Sequence, residues 1–213
     1  MRINAGCGLT PTTGWRNFDN SISVLLSKIA FLPELLHRSK IIAEPPYRFM
    51  LFCRSHAIEY GNPVQKLPVP DGAADALYSS HMLEHLDRHE ACRFLKEARR
   101  VLCSRGVIRL AVPDLRKYCE QYLVERNADK FVTDTFLCTR KPKNILDRLT
   151  ALVAGPQHHL WMYDGESLRR LLASFGFLDV SVMAPGETKI KDPGPLDLRE
   201  RETQSVYVEA LNP

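Results

Sequence analysis

Two glycines separated by one residue stand directly after the first apolar segment of the chain, Arg2–Ala5. If that segment is a strand of a parallel sheet, the turn that follows it lies at the carboxyl edge, where α/β folds bind their ligands. Glycine suits such a turn because a side chain would block close approach of the backbone to the ligand. Gly6-Cys7-Gly8 therefore predicts a ligand-binding turn.

This turn does not fit the fingerprint of a nicotinamide-dinucleotide site. The fingerprint needs a third glycine at position 11, which is Pro11, and an acidic residue about 20 residues further on. Asp19, which ends the predicted second strand, lies only 13 residues after Gly6. We therefore expect the turn to hold another kind of ligand.

A second polar set ends the predicted fourth strand, where Ser79 and Ser80 are followed by His81. The carboxyl ends of parallel strands meet at one edge of a sheet, so we expect these residues near the glycine turn. An unperturbed imidazole titrates near neutrality, which makes His81 a candidate general base. The alternative is a histidine that lines the site through hydrogen bonds and transfers no proton.

A cluster of polar and aromatic residues precedes the predicted last helix and comprises His158, His159, Trp161 and Tyr163. Such side chains can stack on a sugar or another ring and hydrogen-bond its hydroxyl groups. We interpret the cluster as a candidate substrate-binding loop. The alternative is a partly buried loop that its aromatic residues anchor.

His81, Glu84 and His85 form a further candidate constellation, because side chains at positions i, i+3 and i+4 share one face of a helix. They place three potential metal ligands within about one turn, and His158 or His159 would add another if the later loop folds over them. Imidazole ligands favour zinc over magnesium. The alternative is a structural role in which Glu84 and His85 pack and hydrogen-bond without metal.

The composition restricts the class of protein. With 213 residues, 45% hydrophobic and 25% charged, the chain suits one globular domain and is not a disordered or collagen-like protein. A formal net charge of +4 permits anionic partners but is small for a dedicated nucleic-acid binder. The six cysteines show no paired spacing, which indicates reduced and mostly buried thiols. No apolar run reaches the roughly 18 residues of a membrane span, and no signal peptide is recognisable, so we expect a cytoplasmic protein.

The elements that must position these residues alternate between short apolar strands and amphipathic helices, as in parallel α/β sheets. Strands are predicted over residues 2–5, 15–18, 57–61, 76–80, 107–112, 178–183 and 205–211. The clearest helix begins after Asp87, which forms a potential capping box with Glu90, and we expect it to end at Gly106. A last helix is predicted over Ser167–Phe175, and the polar segment 185–204 is expected to be loose.

The motifs occur in a characteristic order. They are Asn4-Ala5-Gly6-Cys7-Gly8, Gly14-Trp15-x-Asn17-x-Asp19, Leu67-Pro68-x-Pro70-Asp71, Ser80-His81-x-Leu83-Glu84-His85-Leu86, Arg100-Val101-Leu102, Val112-Pro113-Asp114-Leu115 and His159-x-Trp161-Met162-Tyr163-Asp164. The series resembles class I S-adenosylmethionine-dependent methyltransferases, most of all a small bacterial branch associated with polysaccharide and surface-glycan pathways. The resemblance covers nearly the whole chain and is weakest at 21–57 and 185–204.

The resemblance implies one Rossmann-like domain over residues 1–213. Its seven-stranded sheet would be mostly parallel with an antiparallel last strand, and helical cap insertions would cover residues 21–57 and 114–163. The implied cofactor is S-adenosylmethionine. The residues that would bind it are Ala5, Gly6, Cys7, Gly8, Asp19, Asn62, Val64, Ser79 and Ser80.

Different residues would bind different parts of the cofactor. The glycine turn would cradle the methionine part, Asp19 would accept hydrogen bonds from both ribose hydroxyls, and Asn62 would meet the adenine. The alternatives are a solvated surface carboxylate at Asp19 and a simple turn at Asn62-Pro63. The chain departs from the family at Thr10, which replaces a third glycine, and at Pro63, which lacks the N–H that commonly meets the adenine ring. Val64 would then supply that donor.

The activity implied is O-methylation of a glycan or small glycoconjugate. Residues 126–148 carry six basic and three acidic side chains, which favours a phosphorylated acceptor. One alternative is a lipid or quinone-like acceptor with peripheral membrane contact, suggested by Leu25, Leu26, Ile29, Phe31, Leu32, Leu35 and Leu36. The other is a non-catalytic binding protein, suggested by the departures at Thr10, Pro63 and Ser104-Arg105.

The resemblance also bears on the candidate metal ligands. Some sugar-, quinone- and RNA-acting relatives hold a divalent ion with a Glu-x-x-Glu-His motif near the position of His81–His85, whereas Glu-His also occurs in many relatives that bind no metal.

Overall fold

The computed structural model describes residues 1–137 and 158–213. In these residues seven strands form one sheet: β1 Arg2–Ala5, β2 Arg16–Asp19, β3 Ile58–Tyr60, β4 Ala74–Ser80, β5 Leu102–Pro113, β6 Leu178–Met183 and β7 Ser205–Leu211. Their order across the sheet is β3-β2-β1-β4-β5-β7-β6. The first five strands pair in parallel, whereas β7 is antiparallel to both β5 and β6. The predicted mostly parallel sheet with an antiparallel last strand is confirmed.

The described helices are α1 Ile22–Ser27, α2 Leu32–Arg38, α3 Glu44–Ser55, α4 Arg88–Val101, α5 Leu115–Glu125, α6 Ala128–Asp134 and α7 Gly165–Ser174, with a 3₁₀ turn over Leu83–His85. The segment 21–57 therefore contains α1 to α3, and the segment 114–163 begins with α5 and α6. Cys138 and most of the basic residues predicted to favour a phosphorylated acceptor lie outside the described residues.

Helix α4 begins at the predicted capping box. The Asp87 carboxylate accepts the Glu90 N–H at 2.7 Å, and the Glu90 carboxylate accepts the Asp87 N–H at 3.1 Å. The prediction that this helix continues to Gly106 is wrong. Leu102 already pairs with Ala74 in β4, and regular pairing between β4 and β5 resumes only after a bulge. Strand pairing therefore ends the helix earlier than the glycine would.

The two faces of the sheet are covered differently, because successive strand residues point to opposite faces. On one face Leu77 and Ile108 belong to the large core that α4 and α7 complete with Phe94, Leu95, Leu168 and Leu172. On the other face Tyr78 and Tyr207 pack with Ile190 and Leu196. The expectation that residues 185–204 are loose is wrong, because this segment closes the second face.

A buried ion pair attaches the same segment to the sheet. Arg109 of β5 and Glu209 of β7 are both fully buried and lie 2.7 Å apart. Arg109 also donates to the carbonyl oxygens of Glu187 and Leu198, and Glu209 accepts from the Lys189 N–H. Both charged side chains therefore have hydrogen-bonding partners in the segment that covers them.

The described cysteines are free thiols of differing exposure. Cys7 and Cys53 are buried and Cys119 is exposed, while Cys92 and Cys103 are intermediate, so the expectation of mostly buried thiols holds fully for two of the five. Among the helices that the structure describes, none has the length and apolarity required to cross a membrane.

Candidate active site

The glycine turn is tied to the neighbouring strand. The N–H groups of Gly6 and Cys7 donate to the Phe18 carbonyl of β2 at 2.8 and 3.0 Å. Gly6 has φ +70°, and a Cβ at this position would lie 2.6 Å from the Met82 sulfur, so the turn and the segment after β4 meet here without room for a side chain. Gly8 has φ +48°, and its Cβ would meet nothing within 4 Å. The backbone at Gly8 is therefore open to a ligand.

Two buried asparagines, which the sequence analysis did not assign to the site, fix the rest of this loop. Asn4 of β1 donates through Nδ2 to the Thr10 carbonyl at 2.9 Å, and Asn17 of β2 donates to the Thr12 carbonyl at 3.0 Å. Thr10 itself donates from its N–H and its hydroxyl to the Cys7 carbonyl at 2.8 and 3.1 Å. The residue that replaces the usual glycine thus closes the turn. Amide side chains on otherwise apolar strands were the signal that could have revealed this network.

Asp19 closes β2 beside the turn. Its Oδ2 accepts the Gly8 N–H at 3.1 Å, and its Oδ1 accepts the Ser21 N–H at 2.8 Å. Burial raises the pKa of Asp19, and these two hydrogen bonds oppose that rise. An ionised carboxylate offers about four acceptor positions, so each oxygen can accept one more hydrogen bond. The side chain is thus equipped to bind a pair of neighbouring hydroxyl groups.

Cys7 in the turn and Ala5 at the end of β1 are both buried. The pKa of the Cys7 thiol is raised well above its usual value, first by burial and then by the nearby Asp19 carboxylate. Cys7 therefore stays a protonated, space-filling side chain.

The residues predicted to meet an adenine lie after β3. The Val64 N–H donates to Asn62 Oδ1 at 3.0 Å, and the Val64 side chain is buried. The donor that we expected to compensate for Pro63 is thus engaged by Asn62. Val64 has to exchange this partner before its N–H can reach a ring.

His81 follows the buried Ser79 and Ser80 at the carboxyl end of β4. Its backbone has φ +48°, in the left-handed region, and its N–H donates to the Ala111 carbonyl at 2.9 Å. The Nε2 atom lies 2.9 Å from Ser205 Oγ, and Nδ1 lies 3.2 Å from Glu84 Oε1. Both ring nitrogens thus face protein groups, and Met82, the next residue, contacts the glycine turn.

The predicted substrate loop docks on the 3₁₀ turn, because the N–H groups of Leu160 and Trp161 both donate to the Glu84 carbonyl. Trp161 is 45% exposed, and the Arg88 guanidinium carbon lies 4.8 Å from the centre of its ring. Tyr163 is 1% exposed and belongs to the main core, so we assign it to packing and not to substrate binding. Trp161 is the aromatic side chain of this loop that a substrate can reach.

The histidines of the loop face the 3₁₀ turn. The His158 carbonyl lies 2.9 Å from His85 Nδ1, and His159 Nε2 lies 4.0 Å from Glu84 Oε1. Burial lowers the pKa of His159, which keeps its ring neutral at pH 7. Both residues are therefore oriented towards Glu84 and His85.

A family profile described as "Methyltransferase domain" matches residues 50–110, which contain Asn62, Ser79, Ser80 and His81 but not the glycine turn. No curated protein matches the sequence. An S-adenosylmethionine-dependent methyltransferase from Thermotoga maritima has a TM-score of 0.50 and 16% identity, over 100% of this chain and 81% of its own. A second one, from Archaeoglobus fulgidus, has a TM-score of 0.49 and 14% identity, over 99% and 85%. At such identities the likeness concerns architecture, and the chain has the Rossmann-like fold of S-adenosylmethionine-dependent methyltransferases.

Proposed function

We propose that this protein is an S-adenosylmethionine-dependent methyltransferase that methylates an oxygen of a glycan or small glycoconjugate. The observation that carries the proposal is the junction of the glycine turn with Asp19, at the carboxyl ends of the adjacent strands β1 and β2. Ligands of open α/β sheets bind at this edge. The matched family segment supports methyl transfer from a different part of the chain and does not bear on the acceptor.

The residues at the junction fit the cofactor. The backbone at Gly8 is open, which suits the methionine part, and Asp19 retains acceptor capacity for the two ribose hydroxyls. Asn62, after β3, can accept from the adenine amino group and donate to a ring nitrogen, as asparagine does when it binds adenine in DNA. The three strands β1, β2 and β3 thus follow one another across the sheet in the order of the cofactor's parts.

When bound, S-adenosylmethionine supplies an electrophilic methyl group on a sulfonium. Its transfer is an in-line displacement, so the main task of the chain is to position two reactants. In the tautomer that carries its proton on Nδ1, the nitrogen 3.2 Å from Glu84 Oε1, His81 has its lone pair on Nε2, where it can take the proton of an acceptor hydroxyl. The Ser205 hydroxyl occupies this position in the structure, so the acceptor would displace it.

A sugar acceptor is favoured by Trp161, whose exposed ring can stack on the apolar face of a pyranose. Arg88 beside it carries the positive charge that a phosphorylated acceptor would pair with. The partner expected here is accordingly a small molecule or glycan.

A second candidate acceptor is a lipid or quinone-like molecule, favoured by exposed apolar side chains on α1, on α2 and between them. Leu25, Ile29, Phe31 and Leu35 are 43, 53, 83 and 61% exposed. Apolar surface beside the cofactor edge suits an apolar acceptor.

Calorimetry with S-adenosylmethionine and S-adenosylhomocysteine tests the cofactor assignment, and both should bind at one site per chain. Protein that binds would then be incubated with methyl-labelled cofactor and either nucleotide sugars or quinols and lipids. Label in the sugar fraction supports the first acceptor class, and label in the lipid fraction supports the second. If neither ligand binds, the protein is a non-catalytic member of this fold.

A further inference from the structure

Glu84 is a buried carboxylate without a hydrogen-bonding partner. Its side chain is 1% exposed, and neither of its oxygens accepts a hydrogen bond from any residue in the described parts of the chain. An ionised carboxylate taken out of water without compensation is costly, so such a group requires a positive charge close to it. The nearest nitrogens are His81 Nδ1 at 3.2 Å and His159 Nε2 at 4.0 Å from Oε1.

His85 is held as metal-binding histidines usually are. Its Nδ1 lies 2.9 Å from the His158 carbonyl oxygen, so this nitrogen donates and the lone pair resides on Nε2. A histidine whose second ring nitrogen donates to a carbonyl has its tautomer and ring orientation fixed for metal binding. The His85 ring is thus preset to offer Nε2 to an ion.

His159 approaches the same place from the later loop. Its Nδ1 lies 3.2 Å from the Met162 sulfur, which leaves Nε2 directed at Glu84. The rings of His85 and His159 meet edge to face, with their centres 5.1 Å apart. Because the Leu160 and Trp161 N–H groups donate to the Glu84 carbonyl, the loop and the 3₁₀ turn are fixed relative to each other.

We propose that Glu84, His85 and His159 form a site for a divalent transition-metal ion. One ligand atom from each residue lies within 4.8 Å of the others. An ion with bonds of about 2.0–2.2 Å holds tetrahedral ligand atoms about 3.3 Å apart, so small side-chain rotations close the site. Two imidazoles and one carboxylate favour zinc over magnesium.

The ligand set differs from the one that the spacing predicts. His81 is adjacent to Glu84 in space, but its other ring nitrogen is engaged by Ser205, and the structure groups His159 in its place. Three protein ligands leave a position open for water or an acceptor oxygen. The proposed metal site therefore lies beside His81, the candidate general base. Binding of the ion does not require that the protein transfer a methyl group.

The test uses untagged, full-length protein that has been stripped with a chelator and titrated with Zn²⁺ by calorimetry, without cofactor or acceptor. We expect one ion per chain and at least about 100-fold weaker binding in each of Glu84→Gln, His85→Gln and His159→Gln. His89→Gln is the matched control, because His89 is an exposed histidine of α4 outside the set, and it should leave the affinity unchanged. His81→Gln, which changes a neighbour of Glu84 and not a ligand, should weaken binding only about tenfold.

A measurement on the unmodified chain covers the case in which a variant does not fold. Zn²⁺ should protect His85 and His159, but not His89, from diethylpyrocarbonate, as mapped by mass spectrometry. Absence of Zn²⁺ binding to the wild-type protein would overturn the site. Binding that His81→Gln abolishes and His159→Gln preserves would overturn this ligand set. Neither result affects the calorimetric test of cofactor binding, so the metal site and the proposed function can fail independently.

Discussion

Asp19 links the turn to the second strand, and its carboxylate carries the proposed contact with the ribose. A hydrogen bond to a charged group contributes about 1.5–3 kcal/mol, so Asp19→Ala should weaken cofactor binding roughly 10–100-fold. Because burial raises the pKa of Asp19, affinity should also fall on acidification at a higher pH than an exposed aspartate would cause. Calorimetry checks both expectations. Asp192→Ala, which removes an 87% exposed carboxylate, is the control; equal affinity of the two folded variants contradicts the assignment.

His81 should affect turnover more than cofactor affinity. If Nε2 takes the acceptor proton, His81→Ala lowers kcat by about 10²–10⁴-fold and leaves the cofactor Kd nearly unchanged. Steady-state kinetics with the acceptor found by labelling, together with calorimetry, separate the two effects. A large loss of cofactor affinity with little loss of kcat would instead make His81 a binding residue.

The cysteines provide a third residue-level prediction. Burial raises the pKa of Cys53 to about 11, so roughly 0.1% of this thiol is ionised at pH 8. Iodoacetamide at pH 8 should therefore modify the exposed Cys119 of α5 and spare Cys7 and Cys53. Peptide mapping checks this, with urea-unfolded protein as the control in which all three react. Fast labelling of Cys53 in folded protein would show that its environment is open.

A site residue could be predicted from the sequence where the residues next to it in the chain already show its position in the fold. The proximity of the glycine turn to Asp19 could be predicted, because the turn follows β1 and Asp19 ends the adjacent β2. Glu84 and His159 are 75 positions apart, and only the docking of the loop on the 3₁₀ turn brings them together. The same applies to Tyr163, whose burial follows from packing that no neighbouring residue reveals.

At the scale of elements, the helices α1 to α3 differ in how much of their surface is buried. Helix α1 buries Val24 and α3 buries Met50 and Cys53, so both are packed, whereas α2 buries only Pro33. The apolar first half of residues 21–57, their three prolines and their position beside the cofactor edge predict a mobile lid over the acceptor. The burial of α1 and α3 restricts the expected lid to α2 and its flanks, residues 29–42. Lids belong to the least stable part of a structure and become ordered on ligand binding.

Hydrogen exchange tests the lid. Amides of residues 29–42 should exchange more slowly when S-adenosylhomocysteine and the labelled acceptor are both bound, while those of α4 should not change. Arg54 donates to the Ser27 and Ile29 carbonyls and pairs with Glu34 at 2.7 Å, so Arg54→Gln should speed exchange in the free protein. Equal protection of residues 29–42 with and without ligands would make α2 a fixed part of the fold.

The helices and strands could be predicted from the sequence wherever the apolar residues of a segment keep a regular helical or strand spacing. Strands β6 and β7 were predicted with their observed bounds, because each is a short run between polar segments. The end of α4 was not, since it is set by the pairing of Leu102 with Ala74 across the sheet. Local pattern thus identifies an element, and distant partners decide where it ends.

At the scale of the whole molecule, polar residues inside the sheet decide how its second face is closed. Arg109 and Glu209 lie on neighbouring strands, and their register places them opposite each other. As single residues in a sequence they suggest exposed strand positions, because charged side chains are almost never fully buried unless paired. The covering segment 185–204 supplies partners for the buried pair through two carbonyls, the Lys189 N–H and the Thr188 hydroxyl.

This pair yields the last prediction. Arg109→Met leaves the Glu209 carboxylate buried without its cation, so it should lower the free energy of unfolding by about 3–5 kcal/mol, and Glu209→Met should do the same to Arg109. Replacement of both by methionine removes both charges, and the double variant should lose clearly less than the sum of the single losses. Urea unfolding of the four proteins measures the coupling, and hydrogen exchange of residues 185–204 should rise most in the single variants. The exposed pair Arg116–Glu120 serves as the matched control, with a coupling of about 0.3–0.5 kcal/mol. Additive losses at Arg109 and Glu209 would contradict the coupling of the buried pair.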